Sequence, residues 1–302
     1  MNTQKFEKSK HETVFPEQIA CLMRQKTFNV AQSKPINQKE LLRTASEDAL
    51  AYYNKTAGTL HAAPEIVLFS DFKRSSEIDK SVLSGMDKIG ALGTYIFNKI
   101  YLDDRELWPE PKKDKIDITT RSLSHELVHH IRNKNGARNH FLARLFNKKI
   151  GTAIRTLEEG CAVFVDGVYQ SGSETDRSRI IRAVYHDPGI YALSMLPQIY
   201  DAVKGKNRMS VVSSGEFDFK RVSRIVTDHP ADQENYSWFY TTGANLAAII
   251  YASNDFNTAK TVKKLLTINY DGLLEEIRQS SRPCVREAIY GLCHDMKKDI
   301  AQ

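Results

Sequence analysis

Apolar positions recur at helical spacing between residues 37 and 56, where Leu41, Leu42, Ala45, Ala49 and Tyr52 fall on one stripe. That pattern predicts an amphipathic helix, closed by Gly58. After Pro64 the rhythm changes, and EIVLFS (65–70) reads as a short buried strand rich in β-formers. Residues 71–88 are charged and show no period, so an irregular segment is expected there. GALGTYIFNKIYLD (90–103) carries β-branched and aromatic residues and predicts a second strand, at the sheet edge. WPEPKKDK (108–115) predicts a loop. A helix is then expected from Thr119 or Thr120 up to Asn135-Gly136, where glycine offers a left-handed cap. Residues 139–150 and 156–170 read as two helices separated by Gly151. The remainder is largely helical by pattern, with breaks near 186–189, 203–218 and 228–235.

This succession divides the chain into three parts. Residues 1–36 form a polar N-terminal arm with a small apolar cluster at Ile19, Ala20, Leu22 and Met23. Residues 37–172 hold the strands and the best-defined helices, and 173–302 make a helical C-terminal subdomain that completes a cleft. Strands precede helices and do not alternate with them, so the expected class is α+β, not a doubly wound sheet. No internal repeat is present.

Composition changes this picture little. Of 302 residues, 41% are hydrophobic and 26% charged, as in ordinary globular proteins. The longest apolar run, ANLAAIIYA at 244–252, is about half the roughly 18 residues that cross a bilayer. The polar start MNTQKFEKSKHETVF lacks the apolar core of a secretory signal, so no membrane partner and a cytoplasmic location are expected. Cys21, Cys161, Cys284 and Cys293 are widely spaced and read as free thiols. The net charge of +6 is concentrated in residues 111–155, where eleven Lys and Arg stand against three Asp and Glu. A solvated basic surface explains this more simply than nucleic acid does, because no zinc-finger spacing or RNA-binding aromatic signature accompanies it. The sequence leaves the oligomeric state open.

The candidate chemistry lies in SLSHELVHHI (122–131). Histidines four apart share a helix face, so His125 and His129 can hold one metal ion, while Leu123, Leu127 and Ile131 turn toward the core. Glu126 stands one residue after the first histidine, within reach of a metal-activated water without itself ligating. The plainer alternative is a polar helix face. His130 is expected to face solvent. Two imidazoles do not complete a site, so a third ligand is needed. It can come from TLEEGCAVFVDG (156–167), where Glu158, Glu159 and Cys161 are all open on spacing. Thr156 and Glu159 also match a capping box, which would account for that glutamate without any metal.

With H-E-x-x-H followed by Glu159-Gly160-Cys161-Ala162, the chain resembles the thermolysin-like zinc metallopeptidases called gluzincins. The likeness is to the branch carrying a Glu-Gly-x-Ala motif; it covers roughly residues 40–170 and, more loosely, 236–276. It implies a zincin-like metallopeptidase domain and one Zn²⁺ held by His125, His129 and Glu159. It further implies hydrolysis of a peptide or protein substrate, with Glu126 as general base and Tyr240, Tyr236 or His229, in that order, steadying the oxyanion. Mixed nitrogen and oxygen ligands favour zinc over other transition metals. There are departures. His129 and Glu159 are thirty residues apart, and Val163 stands where thermolysin has an aspartate, leaving Asp166 to orient a histidine from behind. The amine-anchoring G-x-M-E-N run is absent, which favours an endopeptidase. Two alternatives remain: a metallopeptidase-like protein that binds zinc or a partner without hydrolysis, and a basic helical nucleic-acid binder.

Overall fold

A computed structural model describes residues 38–89, 91–105, 113–138, 148–185, 237–279 and 287. The N-terminal arm, the region 186–236 with His229 and Tyr236, and residues 139–147 lie outside the described residues, as do Cys21, Cys284 and Cys293. The architecture is α+β, mostly helical with a small three-stranded sheet.

The first described helix, α1 (Gln38–Ala57), buries Leu42, Ala49, Tyr53 and Ala57 and ends where Gly58 takes φ +73°. The sheet runs in the order β1-β3-β2, with β1 (Glu65–Leu68) parallel to β3 (Lys99–Leu102) and β2 (Gly93–Ile96) antiparallel to it. The segment 90–103 is therefore a hairpin, not one strand. Phe97 and Asn98 turn it with φ of 53° and 63°, as a primed two-residue turn requires. Asn98 also accepts a hydrogen bond from Tyr95 (3.0 Å), which helps hold that conformation without glycine. Among the described residues β2 and β1 are the two outer strands.

Residues 71–88 are not irregular. A 3₁₀ turn (Phe69–Arg74) leads into α2 (Glu77–Ile89), whose start is fixed by reciprocal hydrogen bonds between Ser76 and Asp79. Leu83 and Met86 pack on Val67 and Tyr101, so α2 covers one face of the sheet. Ile100 and Leu102 alternate to the other face and join the helical core with Leu123 and Leu127.

That second face rests on α3 (Lys113–Lys134), which begins about two turns earlier than expected and absorbs Lys113–Lys115 from the anticipated loop. The next described helix, α4 (Lys148–Ser171), runs unbroken through Gly151 and Thr156. Glu159 thus sits in mid-helix, and the capping-box explanation for it falls. The chain continues through α5 (Arg177–Val184), α6 (Ser237–Ser253), α7 (Thr258–Thr267) and α8 (Tyr270–Gln279). Asp176 and Asn257 cap α5 and α7 through their side chains.

Helices α3 and α4 are central. α3 touches α1, α4, α7, β2 and β3, while α4 touches α5, α6, α7 and α8. One continuous apolar core reaches from Leu42 to Ile277, so the helices after residue 173 share it with those before. Among the described residues no helix is long and apolar enough to cross a membrane.

Candidate metal centre

Residues 123–132 of α3 are buried all round except at His125, because the sheet, α1 and α4 each take a face. His125 and His129 point toward α4, and Glu159 meets them there. Its Oε2 lies 3.2 Å from His125 Nε2 and 3.4 Å from His129 Nε2. The three ligand atoms all fall within 4.8 Å of one another. Ligands at zinc bond lengths of about 2.0–2.1 Å in a tetrahedron are about 3.3–3.4 Å apart, so these two separations match tetrahedral edges. The donor set, two imidazoles and one carboxylate, suits a borderline-soft divalent ion. Without an ion the same distances let a protonated imidazole share the carboxylate. Burial works against charge on His125, yet Glu159, Glu126 and Asp166 push its pKa up to about 9. Burial likewise opposes the Glu159 carboxylate, and His129 and His125 outweigh it, holding the group well below the usual range.

Glu158 is turned elsewhere. It receives Arg132 through two hydrogen bonds, of 3.1 and 2.8 Å, and Arg138 Nε stands 3.4 Å away. Despite burial its carboxyl is held down by Arg132. Glu158 is therefore the arginine partner and Glu159 the ligand candidate. Glu158 Oε2 also stands 3.9 Å from His129 Nδ1, a buried nitrogen with no hydrogen bond among the described residues. Cys161 is buried with its thiol pushed up to about 12 by burial, and it does not join the ligand group.

Asp166, seven residues on from Glu159, is buried and lies inside α4, so it neither faces solvent nor caps the helix. It accepts from Ser124 and Gln170 and lies 3.5 Å from Arg121 Nε, tying the middle of α3 to α4. No hydrogen bond joins it to His125, on which it acts only through charge. His130 does not face solvent. Its Nε2 meets the Ala62 carbonyl at 2.9 Å, and burial pulls its pKa down to about 4, so it is a neutral core histidine.

Glu126 leans on the sheet. A Cβ at Gly93 would be 3.2 Å from Glu126 Cγ, so the glycine of β2 makes room for this carboxylate. Burial raises its pKa, opposed by His129 and His125. Among the proposed oxyanion donors, Tyr240 is brought to the site, its ring 5.8 Å from that of His125. The cause is a glycine contact. A Cβ at Gly160 would be 2.6 Å from Gly243 Cα, and one at Gly243 would be 2.6 Å from Gly160 N. Backbones of α4 and α6 touch there, one residue past Glu159 and one turn past Tyr240.

Gly243, Gly93, Arg132 and Arg138 were not singled out from sequence. The usable signal was Arg132, seven residues after His125 and hence on nearly the same helix face. Gly243→Ala is expected to cost about 1–3 kcal/mol by forcing α6 off α4. A lowered thermal midpoint together with weakened metal uptake would show that the contact supports both helix packing and the site.

No protein-family model matches the chain, and no match is found among curated proteins or solved structures. The functional reading rests on the residues themselves.

Proposed function

We propose that the protein is a zinc-dependent peptide hydrolase with a zincin-like, gluzincin-type centre. The observation that carries this reading is the single carboxylate oxygen of Glu159 shared between His125 Nε2 and His129 Nε2 at 3.2 and 3.4 Å. His125, His129 and Glu159 would hold the ion. When bound, it supplies Lewis-acid polarisation of the scissile carbonyl. Glu126 takes the proton of the attacking water and returns it to the leaving amine; its desolvated carboxyl, with a raised pKa, suits both roles. Tyr240, beside His125, is the donor assigned to the developing oxyanion. The backbone of β2 pairs with an extended substrate, which Gly93 brings close to Glu126.

Ion pairing within the protein weighs against the nucleic-acid alternative. Arg132 and Arg138 from the basic segment are directed at Glu158, and Arg121 at Asp166. The reading is tested by incubating the purified protein with casein. Cleavage should stop with 1,10-phenanthroline and return when zinc is added back. Cleavage that survives the chelator, or zinc-replete protein with no activity on casein or a proteome-derived peptide library, contradicts it.

A further inference from the structure

Among the described residues, two guanidinium groups share one carboxylate behind the centre. Glu126 and Glu159 would offset a divalent ion held there. Behind His129, Arg132 and Arg138 both face Glu158, two positive charges against one negative at that carboxylate. Arg132 is fully buried and satisfied by Glu158 together with the Leu265 carbonyl. Arg138 is different. Its side chain is 19% exposed, its Nε makes the 3.4 Å ion pair with Glu158, and its guanidinium carbon is 5.6 Å from the centre of the Tyr95 ring. Among the described residues its terminal nitrogens take no hydrogen-bond partner, and its field reaches Glu126.

Position gives that spare charge a meaning. Gly93 and Tyr95 lie on the same face of β2, two residues apart, so about 6–7 Å separates the strand position beside Glu126 from the one beside Arg138. Tyr95 is locked by Asn98 and Asn133, at 3.0 and 3.2 Å, and gives the guanidinium a fixed aromatic wall. A planar fork with free donors on such a wall suits the two oxygens of a carboxylate.

We propose that Arg138 is a specificity-determining residue that grips a substrate carboxylate, borne on an acidic side chain or at the chain terminus, about two residues along β2 from the bond cleaved. This rests on the peptidase reading above and assigns its substrate class. Neutral substrates leave a half-buried guanidinium facing apolar groups, whereas an acidic group completes its hydrogen bonds.

The test is binding to zinc-loaded Glu126→Gln protein, which does not consume its ligand. Three probes are compared: an acetylated alanine peptide amide, the same peptide with one central glutamate, and the same peptide as a free acid. At least one carboxylate probe should bind about tenfold or more tightly than the neutral amide. Which one does so separates side-chain from terminal recognition. Adding Arg138→Gln should abolish the preference, and Arg138→Lys should keep part of it. The three-probe comparison with Arg138 intact needs no further variant to fold. A zinc-loaded protein that binds all three alike, or none, overturns the Arg138 assignment and leaves the metal site standing. Failure to load zinc strikes the peptidase reading instead.

Discussion

Glu126→Gln is expected to abolish hydrolysis, by roughly 10²–10⁴-fold in rate, while metal content stays unchanged. The separation of the two effects follows from position. Glu126 is not one of the three residues whose ligand atoms converge, so an ion keeps its full protein donor set when the carboxylate becomes an amide. What is lost is the group that accepts a proton from water. Replacing a buried carboxyl of raised pKa by a neutral amide of nearly equal size should not destabilise the fold, because burial already disfavours its charge. Equal zinc content, an unchanged thermal midpoint and absent cleavage are the expected set. Zinc lost along with activity would mean that Glu126 ligates.

Glu158→Ala carries the largest expected effect on stability, about 3–5 kcal/mol of destabilisation. Arg132 has no exposed surface, and Glu158 is its only anionic partner among the described residues. Removing the carboxylate leaves a guanidinium charge in the core between α3, α4 and α7. Removing both charges should be milder. The double variant Glu158→Leu, Arg132→Met is expected to recover much of the loss, since the penalty comes from the unpaired charge more than from the missing pair. Urea denaturation of the two variants, followed by circular dichroism, checks the order. A double variant less stable than Glu158→Ala alone contradicts it.

Much of the fold was readable where periodicity is strong. α1 and its closing glycine, the β1 run, and the end of α3 at Gly136 stand close to where the pattern put them. Where one physical signal stood in for another, the reading failed. The hairpin was hidden because Phe97-Asn98 is not an Asn-Gly or Asp-Gly turn. α2 was hidden because Leu83 and Met86 are its fully buried apolar pair, set among charged residues. Gly151 and Thr156 looked like a break and a cap, but tertiary packing carries α4 through both.

The candidate ligand group was legible only in part. The H-E-x-x-H spacing is a property of one helix and can be read locally. Choosing between Glu158 and Glu159 cannot be done that way, because it depends on which arginines wait on the far side. Arg132 and Arg138 decide it by engaging Glu158. Tyr240 stood first among three candidate donors, but the reason it reaches His125 is the glycine crossing at Gly160 and Gly243, which involves residues more than eighty positions apart.

The most direct measurement is zinc stoichiometry by elemental analysis after dialysis, for the natural chain and for Glu159→Ala. One zinc per chain is expected in the first, and in the second a loss of affinity beyond the roughly 10–100-fold that removing a mere outer partner produces. A natural chain that retains no zinc, or a Glu159→Ala variant that holds it undiminished, contradicts the account.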